Sequence, residues 1–245
     1  MKINYFFSLL AIGCLNVAMA QHCAIPSLES GNPLTRIVNT LNANAAASVY
    51  KNSTGSPYLT ASFESSKIYV DNKLVGTFYT RYNAHRKEIQ VKKTTLKEEA
   101  YQTLSRDGSV KVVYHDKTLQ FASFLNGKGE KQYDYLMTVA DGDKYTLYRR
   151  VKIKYRKGRK AEDSYERDTQ GRFTSVNEYY VRDGKSNLML ELPSKKSDLL
   201  KVFKNADKIS VAGLVKKGSF KLHRERDLIK LLNLVNTAPV DYAAK

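Results

Sequence analysis

The densest chemistry in this sequence lies between Arg149 and Lys160, RRVKIKYRKGRK, where eight of twelve residues are basic and none is acidic. Read as a strand, the segment turns Val151, Ile153 and Tyr155 to one side and Arg150, Lys152, Lys154 and Arg156 to the other, because side chains alternate with period two. The pattern predicts an apolar inner face and a basic outer ridge. Those four cations are the candidate anion- or partner-binding residues, since guanidinium and ammonium groups recognise phosphate and carboxylate. The same row also suits a solvated face whose lysines deter edge-to-edge pairing.

Other chemistries are poorly supplied. His22, His85, His115 and His223 are not within metal-ligand spacing of one another. Asp141-Gly142-Asp143 lacks the further carboxylates and closing Glu of a calcium loop, and suits a tight hairpin turn. Glu162, Asp163, Glu166 and Asp168 share one basic loop, whereas glycoside hydrolysis needs two carboxylates across a cleft. No nucleophile elbow, phosphate-binding loop, dinucleotide fingerprint or zinc-protease helix occurs. The sequence therefore names no catalytic residue, no metal ligand and no cofactor.

The elements that must position these residues begin after a leader. Lys2, an apolar run from Tyr5 to Val17 and the small residues of Ala18-Met19-Ala20 predict a secretory signal peptide over 1–20. Ala11-Ile12-Gly13-Cys14 offers a second processing mode, a lipoprotein anchored at Cys14. Export places the protein in the periplasm, at the cell envelope or outside the cell. Cleavage after Ala20 leaves Cys23 as the one cysteine, which excludes an internal disulfide or a thiolate zinc site.

The chain carries a net charge of +17, and loss of Lys2 with the signal lowers this to +16. An exported basic protein is drawn to polyanions: anionic lipid, lipopolysaccharide, acidic glycan or an acidic protein, with nucleic acid the less suitable partner. No later segment has the run of about 18 apolar residues that a membrane helix requires.

Seventeen tyrosines and nine phenylalanines favour β structure. Residues 21–52 form a leader, loosely ordered or with a short amphipathic helix at 34–43. Alternating segments then run from 53 to 192, separated by turns at Asp71-Asn72-Lys73, Asn83–Lys87, His115-Asp116-Lys117, Asn126–Gly129, Asp141–Asp143 and Asp183-Gly184. Tyr145, Leu147, Val151 and Ile153 share one strand face, interrupted by Arg149. Thr95-Leu96-Lys97-Glu98 has the form of a capping box and predicts a helical turn over 95–105. Gly158 to Arg172 reads as a protruding hairpin tip. From Pro193 the period changes, predicting three short helices over 193–237, capped by Ser194 or Ser197, by Asp207, and near His223, with a tail at 238–245. The fold class is mainly β: an antiparallel sandwich or barrel of about 8–10 strands with a C-terminal helical element, α+β overall.

Gly55-Ser56-Pro57-Tyr58-Leu59, Phe63, Ile68-Tyr69, Arg81-Tyr82-Asn83 and Glu88-Ile89 resemble exported β-rich proteins of Bacteroidetes that end in a Lys-rich helical segment. The resemblance spans about Ser53 to Asn236, through short motifs. It implies an envelope location and a shared fold; it implies no activity and carries over no site residue. Three functions follow as expectations. The first is a non-enzymatic envelope protein that binds an anionic surface or a partner through the basic strand. The second is a carrier that holds a lipid or small molecule in a barrel cavity. The third is a hydrolase of envelope polymers.

Overall fold

The computed structural model describes residues 37–39, 50, 53–163, 165–186, 188–203, 205–218 and 220–237. The expected signal segment at 1–20, Cys14, His22, Cys23 and most of the 34–43 helix expectation fall outside them. The strands in chain order are β1 (Val38–Asn39), β2 (Ser53–Thr54), β3 (Glu64–Val70), β4 (Lys73–Asn83), β5 (Glu88–Lys92) and β6 (Gln102–Leu104). They continue with β7 (Val110–Tyr114), β8 (Lys117–Leu125), β9 (Lys131–Ala140), β10 (Tyr145–Arg156), β11 (Gly171–Asp183) and β12 (Met189–Glu191). The helices are α1 (Lys196–Leu199), α2 (Asn205–Lys217) and α3 (Glu225–Thr237). The protein is mainly β with a helical C-terminal part, as its period-two patterning and the change of period at Pro193 predict.

Local chemistry sets the first hairpins. Asp71 and Asn72 take φ of 48° and 63°, the left-handed pair that a two-residue turn between twisted strands needs, so β3 folds directly back on β4. Lys87 and His115 likewise adopt positive φ at the turns into β5 and β8.

The strands form one sheet. β1, β6, β5, β4, β3, β7 and β8 lie side by side in that order. β8 also pairs with β9, β9 with β10, β10 with β11 and β11 with β12, and β12 returns to β8 through Leu190 opposite Leu125. Five strands thus close on themselves. Phe124, Leu136, Tyr148, Tyr180 and Met189, one from each strand of the circuit, form a buried cluster within it. The opposite faces of β9 and β10 are divided between two larger cores. Met137, Val151 and Ile153 pack with residues of β3 to β7, including Ile68, Tyr82 and Val112. Tyr145 and Leu147 pack with α3, whose Leu228, Leu231, Leu232 and Val235 make an apolar stripe.

Three local expectations give way. Residues 95–105 form no helix: Leu96 is 62% exposed, so no apolar face exists to support one. The Glu99 carboxylate instead accepts N–H bonds from Lys93 (2.7 Å) and Thr94 (2.8 Å), and Gln102–Leu104 join the sheet as β6. In the leader, Val38 pairs with Leu104 as a strand rather than lying on a helix. α1 spans four residues and starts from Lys195 without a side-chain cap, and Asp207 lies inside α2, which starts at Asn205.

Candidate functional site

The basic strand is β10, and its faces alternate as the sequence predicts. Val151 and Ile153 are buried and Tyr155 is half-buried in the large core. The opposite face is not a uniform solvated ridge. Arg150 is 4% exposed, because closure of the five-strand circuit puts this part of the face inside. Its Nε and Nη2 donate to Asp134 at 2.7 and 2.6 Å, and its Nη1 donates to Glu178 at 3.0 Å. Its guanidinium also sits over the Phe124 ring. Asp134 accepts in addition from the Tyr135 N–H and the Tyr82 hydroxyl, and pairs with Lys87 at 3.3 Å. Burial pulls the Arg150 guanidinium down, but the charge of Asp134 and its hydrogen bond outweigh that and hold it above the usual arginine value. Burial, with the Asp134 charge beside it, pushes the Tyr82 hydroxyl well above its ordinary value. This saturated network is internal structure, and Arg150 leaves the set of surface-binding candidates.

The other three cations remain accessible to different degrees. Lys152 is half-exposed and donates to Glu178 at 3.1 Å. Lys154 and Arg156 are exposed, where the β10–β11 hairpin runs on beyond the closed circuit. The register supplies a residue that the linear sequence hides: Arg172 on β11 lies directly opposite Arg156 and is exposed. Lys154 faces Thr174 and Lys152 faces Val176, itself 53% exposed. Beyond them the loop is internally paired. Arg159 holds Glu166 with two 2.9 Å bonds, while Asp163 and Asp168 accept backbone N–H groups. Tyr165 at its tip is 98% exposed.

A second site lies on the other face of β10. Arg149 stands between Leu147 and Val151, at the seam between the two large cores, and helps to line a cleft of about 320 Å³. Tyr82, Tyr114 and Met137 are its buried side. Leu59 and Thr60 form a wall that is held in place: the Leu59 N–H donates to the Tyr82 carbonyl at 3.0 Å. Arg81 is clamped against Tyr58 (3.8 Å) and Phe63 (4.4 Å) and donates to Gln90 and to the Ala61 carbonyl. Tyr58, Phe63 and Arg81 thus anchor the segment that carries Leu59 and Thr60, and Tyr82 lines the cleft itself. At the rim stand Glu64 and the β7–β8 turn, His115 to Lys117.

Arg149 is incompletely satisfied. Its Nη1 donates to Glu225 of α3 at 2.8 Å, and Glu225 also accepts from the Tyr179 hydroxyl. Its Nη2 has the thioether of Met137 at 3.2 Å, a weak acceptor. Its Nε–H is buried with no partner among the described residues. An orphaned buried donor costs about 1–3 kcal/mol, more when charged. The sequence signal for this position was the arginine that breaks an otherwise apolar strand face.

Glu64, Asp116 and His115 converge on the cleft, yet none has a hydrogen bond among the described residues that would orient it as an acid, base or nucleophile. His85 rests on the Ile153 carbonyl amid Tyr50, Tyr155 and Phe173. Among the described residues no group of three or more His, Cys, Asp or Glu could hold a metal ion, and no helix is long and apolar enough to cross a membrane. No protein-family model, curated protein or solved structure matches the chain.

Proposed function

We propose that this is an exported, non-enzymatic protein of the cell envelope that binds an anionic phospholipid surface through the outer face of the β10–β11 hairpin. The observation that carries this reading is the direct cross-strand pair Arg156–Arg172, exposed and next to Lys154 on the same face. Like charges directly opposite one another in a sheet are destabilising. Phosphate oxygens placed between them turn that repulsion into two charge-assisted contacts. The net charge of +17 adds long-range attraction, and the N-terminal signal pattern supports an envelope location. The barrel-carrier reading loses support, because side chains fill the circuit of β8 to β12.

The test is co-sedimentation with vesicles of phosphatidylglycerol in phosphatidylcholine. Each cation near an anionic membrane contributes about 1 kcal/mol, so Lys154→Ser/Arg156→Ser/Arg172→Ser should weaken binding by roughly 100-fold. Raising the salt should do the same to the unaltered protein. Equal binding to neutral vesicles, or a triple variant that binds unchanged, overturns the reading. Arg150 is left intact in this design because its removal would disturb the fold.

A further inference from the structure

We propose that the cleft at Arg149 binds a small zwitterion of amino-acid or dipeptide size, its carboxylate seated on the Nε–Nη2 edge of Arg149 and its ammonium group facing Glu64 and Asp116. The guanidinium has two edges suited to a carboxylate. Glu225 occupies Nη1, and the Tyr179 hydroxyl steadies that glutamate. The Nε–Nη2 edge has a thioether on one nitrogen and, among the described residues, no acceptor on the other. A ligand carboxylate meets both N–H groups at once, the bidentate geometry that gives such pairs their strength. Met137 must move aside to admit it, and an unbranched thioether does this more readily than a branched side chain.

The rest of the cleft selects the ligand's charge. Among the described residues of its lining, Lys117 is a second cation, and Glu64 and Asp116 are carboxylates. A dianion meets repulsion from those two groups, and a simple cation meets it from Arg149 and Lys117. A molecule with one charge of each sign at opposite ends meets neither. The volume of about 320 Å³ stands at the small end of ligand sites, which limits the occupant to a small molecule. The wall clamped by Arg81 is already in place, so binding does not have to order it. This site is independent of the hairpin surface, which lies on the opposite face of β10.

The experiment is isothermal titration of the purified full chain with alanine, L-Ala-L-Ala and D-Ala-D-Ala. The tightest binder is then compared with its C-terminal amide and its N-acetyl form. At least one free zwitterion should bind at millimolar or lower concentration, and each blocked form should bind at least tenfold more weakly. Arg149→Lys keeps a charge for Glu225 but lacks the planar edge, and should also lose at least tenfold. Glu64→Gln/Asp116→Asn changes rim residues alone and should abolish the preference for the free amine, with the circular dichroism spectrum unchanged. The hairpin triple variant should bind the ligand normally. Absence of binding by all three probes overturns the inference, as does an amide or acetyl form equal to the free ligand. Unchanged affinity in Arg149→Lys, or an unchanged amine preference in the rim variant, does so as well.

Discussion

Replacing Arg150 by Met tests the closed circuit at its most committed point. Asp134 is 3% exposed at its side chain and receives its two shortest bonds from Arg150, at 2.6 and 2.7 Å. Breaking a buried pair by removing one partner costs about 3–5 kcal/mol, mostly because a charge is left uncompensated. Three features put this case near the lower end. Lys87 stays at 3.3 Å from Asp134 and is 43% exposed, so it can move closer, and Glu178 retains Lys152. Met also keeps part of the aliphatic contact with Phe124. The expected loss is therefore about 3 kcal/mol, which for a domain of this size lowers Tm by about 6–12 °C. Urea unfolding followed by far-ultraviolet circular dichroism, with the slope m unchanged, measures it. Adding Asp134→Asn removes the stranded charge and should recover about 1–3 kcal/mol through coupling. Arg156→Ser, six residues along the same face, should change stability by no more than about 0.5 kcal/mol. A loss below 1 kcal/mol in Arg150→Met, or additive behaviour with Asp134→Asn, would refute a buried, coupled network within β8 to β12.

Two further outcomes follow from local geometry. Gly55 has φ of 80°, and a Cβ there would stand 2.8 Å from the Phe173 carbonyl oxygen; Gly55→Ala should cost more than about 1 kcal/mol in urea unfolding, and a neutral effect would count against this approach of chain and strand. Burial pushes the Glu178 carboxyl up, but the Lys152 hydrogen bond and the charges of Arg150 and Lys152 prevail and hold it below the usual glutamate range. Its stabilisation is then complete above the unfolded value of about 4.3 and is lost as pH falls through the lower folded value. Glu178→Gln should flatten the fall in stability below about pH 5, and an unchanged acid slope would show that Glu178 contributes nothing there.

Much of the fold was legible because its signals are local. Asp71-Asn72 fixed the first tight hairpin through positive φ, and period-two alternation placed Tyr145, Leu147, Val151 and Ile153 on one buried face. Residues 95–105 misled because a capping box is also local. Pairing of Leu104 with Val38 and of Thr103 with Gln90 outweighs a helical turn that would leave Leu96 in water. The fate of the basic face was not legible. Alternation says that Arg150 and Arg156 share a side; whether that side meets solvent depends on β12 returning to β8 at Leu190–Leu125, a contact between distant segments. The Arg156–Arg172 pair was hidden for the same reason, since it depends on register across a long loop.

β10 places three arginines in three states, and donor saturation separates their roles better than charge does. Arg150 has carboxylates on both sides of its guanidinium and is closed to a ligand by the strands around it. Any anion that displaced Asp134 would have to replace two short charged bonds and desolvate itself besides. Arg156 has no partner among the described residues and is exposed, so its contact with an anion trades against water and salt; it suits a broad charged surface, where many weak contacts add. Arg149 is the intermediate case. Its Glu225 bond holds the plane in place, while its other edge faces a poor acceptor at one nitrogen and, among the described residues, none at the next. A carboxylate arriving there gives up its own hydration but displaces no strong bond from the protein. Selective recognition of a small molecule is therefore better served by the arginine that broke the apolar stripe than by the basic run that follows it.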